Sequence, residues 1–108
     1  VDRTWRNPNL LVWHGDIWLI DHGAALYFHH DWTRADPAKP FDARQHVLRD
    51  RATKLEDAHA RLAPLVTESL LGEVVADVPA EWFGERGADA YVAQLARRAP
   101  LVTQVIRT

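Results

Sequence analysis

Two short apolar runs, Leu10-Leu11-Val12-Trp13 and Ile17-Trp18-Leu19-Ile20, stand out near the start of the chain. His14-Gly15-Asp16 separates them, and Gly-Asp is a hairpin-turn pair. The pattern predicts two antiparallel strands. Neither run alternates apolar with polar residues, which implies cover on both faces rather than a sheet with one wet side. A hairpin left without that cover would be adhesive, so self-association through its faces is an expectation too.

The pattern changes near Asp36. The segment Asp36-Pro37-Ala38-Lys39-Pro40 carries two prolines and reads as a loop. From Phe41 onward the spacing is helical. Asp42 is placed to cap a first helix reaching about Arg51, with Val47 and Leu48 inward. A second helix follows Leu55, Ala58, His59 and Leu62 toward Leu65 and Val66, with Pro64 near its end. Thr67 reads as the N-cap of a third, whose face is Leu70, Leu71, Val74, Val75 and Val78 before Pro79. Ala80 to Phe83 predicts a short helical turn ended by Gly84, and Gly87 a loop. Asp89 then caps a last helix bearing Tyr91, Val92, Leu95 and Ala96. Pro100 breaks it ahead of Val102, Val105 and Ile106. The predicted fold class is mainly α with a small β-hairpin, α+β overall. Residues 1–35 hold the hairpin and its flanking loops and residues 36–108 the helices. A chain of 108 residues supports one small domain.

Composition narrows the function classes. Hydrophobic residues make up 47% and charged residues 26%, ordinary globular usage that argues against disorder. The formal net charge is −2 and no long basic run occurs, so nucleic acid is not the expected partner. Without cysteine there are no disulfides, thiolate metal sites or cysteine nucleophiles. No apolar run approaches the roughly 20 residues that span a bilayer. No signal peptide is visible, and a cytoplasmic protein without a membrane partner is expected. The chain opens on Val1 and has no methionine, so it is expected to be part of a longer chain. Lys39 and Lys54 are its only lysines; arginine and alanine dominate, as in high-GC bacterial coding sequence.

Three polar residues bracket the hairpin. Asp2 stands five positions before Asn7, which precedes the first strand. Asp21 ends the second strand and is followed by His22-Gly23. A hairpin brings its outer ends together, so Asn7 and Asp21 are expected near each other with Asp2 on the same loop. An amide oxygen and carboxylates suit magnesium, which takes oxygen ligands and usually keeps waters and phosphates. Asp2 could accept a proton from an attacking hydroxyl. Gly23 would let the chain turn sharply beside the ligand. Asn9 is the rival to Asn7. It stands seven positions from Asp2, so Asn7 is preferred and Asn9 is expected to bond the loop backbone.

The run Asp2-Arg3-Thr4-Trp5-Arg6-Asn7 resembles the kinase catalytic loop, and Ile20-Asp21-His22-Gly23 resembles the Asp-Phe-Gly metal turn. The fuller run from Arg6-Asn7-Pro8-Asn9-Leu10-Leu11 through Trp18-Leu19-Ile20-Asp21-His22-Gly23-Ala24-Ala25-Leu26 to Phe28-His29-His30 looks like the bacterial HipA-like kinase family. That resemblance covers Asp2 to about Trp32 and implies the C-lobe part of a protein-kinase-like fold. It implies an ATP- and magnesium-dependent phosphotransferase with an unknown hydroxyl acceptor. It also implies Asp2 as catalytic base, Asn7 and Asp21 as magnesium ligands, and Gly23 in the cofactor-binding turn. His22 departs from the phenylalanine of the ordinary turn. A glycine-rich phosphate loop and a lysine–glutamate pair are not found in these residues and are expected upstream, so the chain by itself is expected to be inactive. The alternative is a non-catalytic helical interaction module or pseudokinase remnant.

Other chemistry reads less well. His14, His22, His29 and His30 invite a zinc reading, but no His-x-x-x-His pair lies on a predicted helix, and adjacent His29 and His30 point apart. Trp13, Trp18, Tyr27, Phe28 and Trp32 lack the basic neighbours of a base-stacking surface and read as core or interface residues. Arg97-Arg98 reads as a solvated pair.

Overall fold

The computed structural model describes all residues, 1–108. The element classes are mixed α and β. Strands β1 (Leu10–Trp13) and β2 (Asp16–Leu19) pair antiparallel, in the register Leu10↔Leu19, Leu11↔Trp18, Val12↔Ile17 and Trp13↔Asp16. The turn is the two-residue His14-Gly15, with φ +50° and +83°. Positive φ at both central positions is the backbone demand of the hairpin turn whose twist matches its strands, and Gly15 meets it without a Cβ penalty. Asp16, expected in the turn, instead begins β2 opposite Trp13.

A second, parallel pair joins β3 (Phe41–Asp42) to β4 (Ile106–Arg107). Here the structure corrects the helix expected from Asp42 to Arg51. That segment runs extended, then turns, and ends in a single 3-10 turn at Arg49–Arg51. Its backbone groups are taken by partners distant in sequence. The Ala43 amide donates to the Arg107 carbonyl at 2.7 Å, the Trp5 amide to Gln45 at 3.3 Å and the Val47 amide to Arg3 at 2.9 Å. Asp42 caps no helix. Its carboxylate accepts the Arg44 amide at 3.0 Å and the Arg44 guanidinium at 2.6 Å, the local competition with helix that aspartate is prone to.

The helices are α1 (Leu55–Leu62), α2 (Glu68–Ala76), α3 (Gly87–Arg98) and the single turn α4 (Val102–Val105). A 3-10 turn holding Pro64 follows α1, and another holding Pro100 follows α3. Thr67 caps α2 as expected, its hydroxyl accepting the Leu70 amide at 3.1 Å. α2 ends at Ala76, short of Val78. Its inward side is Leu71 and Val75, while Leu70 and Val74 are exposed. α3 starts two residues before Asp89, and its buried residues are Tyr91 and Gln94. Ile106, expected to continue the helical tail, belongs to β4.

The chain divides into two units. The first comprises residues 1–35, 40–53 and 106–108, the second residues 36–39 and 54–105. In the first, Phe28 is 2% exposed and packs against Trp32 at a ring separation of 5.0 Å and Tyr27 at 5.3 Å. Ala43 and Asn9 are also buried there. In the second, Tyr91 and Val105 are buried, and Phe83 meets Tyr91 edge-on at 5.2 Å. The Arg98 guanidinium donates to the Pro37 carbonyl at 2.7 Å and to the Lys39 carbonyl, tying the proline loop to α3. Arg98 is therefore half-buried and bonded rather than solvated; Arg97 is exposed. No helix is long and apolar enough to cross a membrane.

Candidate functional site

The hairpin ladder continues one step past its strands. The Ile20 amide donates to the Asn9 carbonyl at 3.0 Å, which brings the open end of the hairpin to Asn9 and Ile20. Asp21 follows directly. Asp2, Asn9 and Asp21 all adopt left-handed backbone, with φ of +63°, +48° and +49°. Among residues with a Cβ, Asp and Asn enter this region at least cost. Such conformations cluster where surrounding contacts over-determine them. Here three fall within one local set of hydrogen bonds.

Asn9 is 6% exposed. Its side-chain NH2 donates to the Asp2 carbonyl at 2.7 Å and to Asp2 Oδ2 at 3.2 Å. Both partners are acceptors, so the amide orientation is forced: Nδ2 faces Asp2 and Oδ1 faces away. That oxygen accepts no hydrogen bond from the protein. Asp2 is exposed, with one carboxylate oxygen held by Asn9. Asp21 is exposed and its carboxylate is free of protein partners.

Arg3 joins the two sides. Its Nη1 donates to the Asn9 carbonyl and, at 3.2 Å, to the Ile20 carbonyl. Its Nη2 lies 3.2 Å from His22 Nδ1. A guanidinium only donates, so Nδ1 is the acceptor in this contact. Residues 20 and 22 flank Asp21, and Arg3 follows Asp2. One side chain thus ties the Asp2 loop to the Asp21 turn.

Asn7 lies differently. It closes a tight turn on Thr4, with the Thr4 amide donating to the Asn7 carbonyl at 3.1 Å and the Asn7 amide to the Thr4 carbonyl at 3.1 Å. Its side chain is exposed and bonds nothing. Asn9, not Asn7, is the asparagine held against Asp2. Spacing favoured Asn7 because the five-residue interval matches a motif; what separates the two is burial, and a two-residue excursion through Trp5-Arg6 and the Asn7-Pro8 turn that spacing does not register. Asn9 also bonds the loop backbone, as expected of it. Gly23 does not need positive φ. A Cβ there would stand 3.7 Å from Asp21 Oδ1, ordinary contact distance.

Asp2, Asn7, Asn9 and Asp21 offer oxygen donors of the kind a hard divalent cation such as magnesium takes. No group of three or more His, Asp or Glu side chains stands together as a metal site. His29 and His30 stack edge-on at 4.6 Å. Comparison with protein-family models, with curated proteins and with solved structures finds no match.

Proposed function

We propose that this chain carries the catalytic loop and metal-binding turn of a HipA-like phosphotransferase, which moves the γ-phosphoryl group of ATP to a hydroxyl acceptor. The observation that carries the reading is the bonded cluster at the open end of the hairpin: Asp2 fixed by Asn9, and both linked through Arg3 to the residues flanking Asp21. Phosphoryl transfer asks little covalent chemistry of a protein and much positioning, and such a cluster supplies that. Asp2 orients the acceptor hydroxyl and takes its proton on the carboxylate oxygen that Asn9 leaves open. Asp21 and an amide oxygen, that of Asn7 as the resemblance implies or that of its rival Asn9, would hold the cation. Magnesium, when bound, neutralises charge on the β- and γ-phosphate oxygens. Gly23, by the resemblance, lies in the cofactor-binding turn beside Asp21 Oδ1.

Asp21→Asn in the full-length protein is expected to lower transfer from γ-labelled ATP by several orders of magnitude, since a charged cation ligand is removed. Transfer at the parent rate by that variant would overturn the metal role.

A second reading is favoured by the exposed apolar hairpin. Val12 is 70% exposed and Trp18 54%, so these faces are available to a partner in a non-catalytic module. The two readings separate on ligand linkage. A nucleotide-binding protein melts higher with magnesium and an ATP analogue, and an interaction module does not.

A further inference from the structure

We propose that Arg3 is a positioning residue that sets the spacing between Asp2 and Asp21, and that a cation held there depends on its guanidinium although Arg3 does not touch it. The inference rests on the cation-site reading above.

Arg3 makes no ion pair, unlike Arg44 with Asp42 and Arg49 with Asp50. Its charge is directed instead at three neutral acceptors: the carbonyls of Asn9 and Ile20 and the ring nitrogen of His22. Charge-assisted bonds of this kind are stronger than neutral ones, and the rigid planar fork fixes their directions. Each acceptor belongs to a segment carrying a candidate ligand. The Asn9 carbonyl is on the residue whose amide orients Asp2. The Ile20 carbonyl and His22 stand on either side of Asp21. With Arg3 in place, residues 2, 9, 20 and 22 are joined by bonds, and the left-handed backbone of Asp2, Asn9 and Asp21 is held from one centre. Without it, one ladder bond from Ile20 to Asn9 would remain between the loop and the turn.

The sign of the expected effect separates positioning from charge. Arg3 is a cation near a cation site. By Coulomb's law alone, removing it tightens the binding of a divalent ion. If Arg3 acts by holding the ligands in register, removing it weakens binding, and the loss of such supporting partners costs about 10–100-fold in metal affinity. Arg3→Lys keeps the charge but replaces the three-way fork by a single ammonium, so it isolates geometry.

The test titrates Mn2+ against the full chain, following the free-ion electron paramagnetic resonance signal, for the parent, Arg3→Ala, Arg3→Lys and Asp21→Asn. Circular dichroism melts check folding, and the ¹⁵N shift of His22 Nδ1 reports whether Arg3 is bonded to it. The expected result is weaker Mn2+ binding in both Arg3 variants, on the order of tenfold or more. Both Arg3 variants should still unfold cooperatively, and both should shift the His22 Nδ1 resonance as the guanidinium contact is lost. Parent-like or tighter Mn2+ binding in Arg3→Lys, with Asp21→Asn still losing the ion, overturns the positioning role and leaves the cation site standing. Equal binding by the parent and Asp21→Asn overturns the cation site and this inference with it.

Discussion

Asn7 and Asn9 stand two positions apart, yet their environments could hardly differ more. The Asn9 amide is buried and doubly bonded to Asp2, while the Asn7 amide is exposed and unbonded. Truncating Asn9 to alanine removes a hydrogen bond to a carboxylate and places a Cβ-bearing residue other than Asn or Asp at φ +48°. The expected cost is about 2–3 kcal/mol of unfolding free energy. Asn7→Ala should change it by no more than about 0.5 kcal/mol, as for an unbonded surface side chain. Urea denaturation of the two variants checks the contrast, and comparable losses would show that burial does not distinguish the two asparagines. Motif spacing singled out Asn7 but did not say which asparagine bonds Asp2. The deciding quantity is a hydrogen bond across seven residues, and that depends on how the loop closes.

At the scale of elements, the segment after Pro40 is held by pairing rather than by propensity. The Thr4 and His46 bridge and the Val47-to-Arg3 bond lay it along the Asp2 loop. His46 is itself a sensitive point. Burial, with help from the positive charges of the Val1 amino group and Arg3, lowers its pKa below the ordinary 6.5. Its Nδ1 also accepts the Leu48 amide at 3.1 Å, which requires that nitrogen to be unprotonated. The unfolded chain therefore binds a proton at His46 before the folded one does, and stability rises with pH up to about 6.5 and falls below it. Melting temperatures measured between pH 5 and 8 should show this slope, and His46→Gln should flatten it. An unchanged slope in that variant would remove His46 as the cause. Asp42 acts in another window. The side chain and amide of Arg44 bring its carboxyl down to about 2 from the ordinary 3.8, so whatever that exposed pair contributes is present above pH 4 and lost as pH falls through 2.

For the molecule as a whole, apolar surface is unevenly used. Phe28 is sealed by Tyr27 and Trp32, whereas residues 11–20 are all exposed despite their apolar sequence. Cover on both hairpin faces was expected, and within these residues it is not supplied. Two substitutions contrast the regions. Phe28→Ala removes a fully buried ring and should cost about 3–5 kcal/mol, a large share of a small domain's stability. Val12→Thr with Ile17→Thr changes a cross-strand pair that water already reaches and should cost less than about 1 kcal/mol. Thermal or urea unfolding followed by tryptophan fluorescence measures both. A large loss from the hairpin pair would show that those faces are buried in solution, through contact with another surface.

The amino-acid order by itself determined the local features. Two apolar runs around His14-Gly15 specify the hairpin, Thr67 the start of α2, the prolines the ends of the helices, and Asp2 and Asp21 the candidate acids. Each of these depends on interactions within a few residues, where side-chain chemistry and backbone preference act directly. Tertiary structure decided the rest: that Asn9 turns to Asp2, that Arg3 gathers the loop and the turn, and that residues 41–42 pair with residues 106–107 instead of opening a helix. Those outcomes are hydrogen bonds between distant segments, and such bonds prevail because a donor or acceptor withdrawn from water must find a partner wherever the folded chain supplies one.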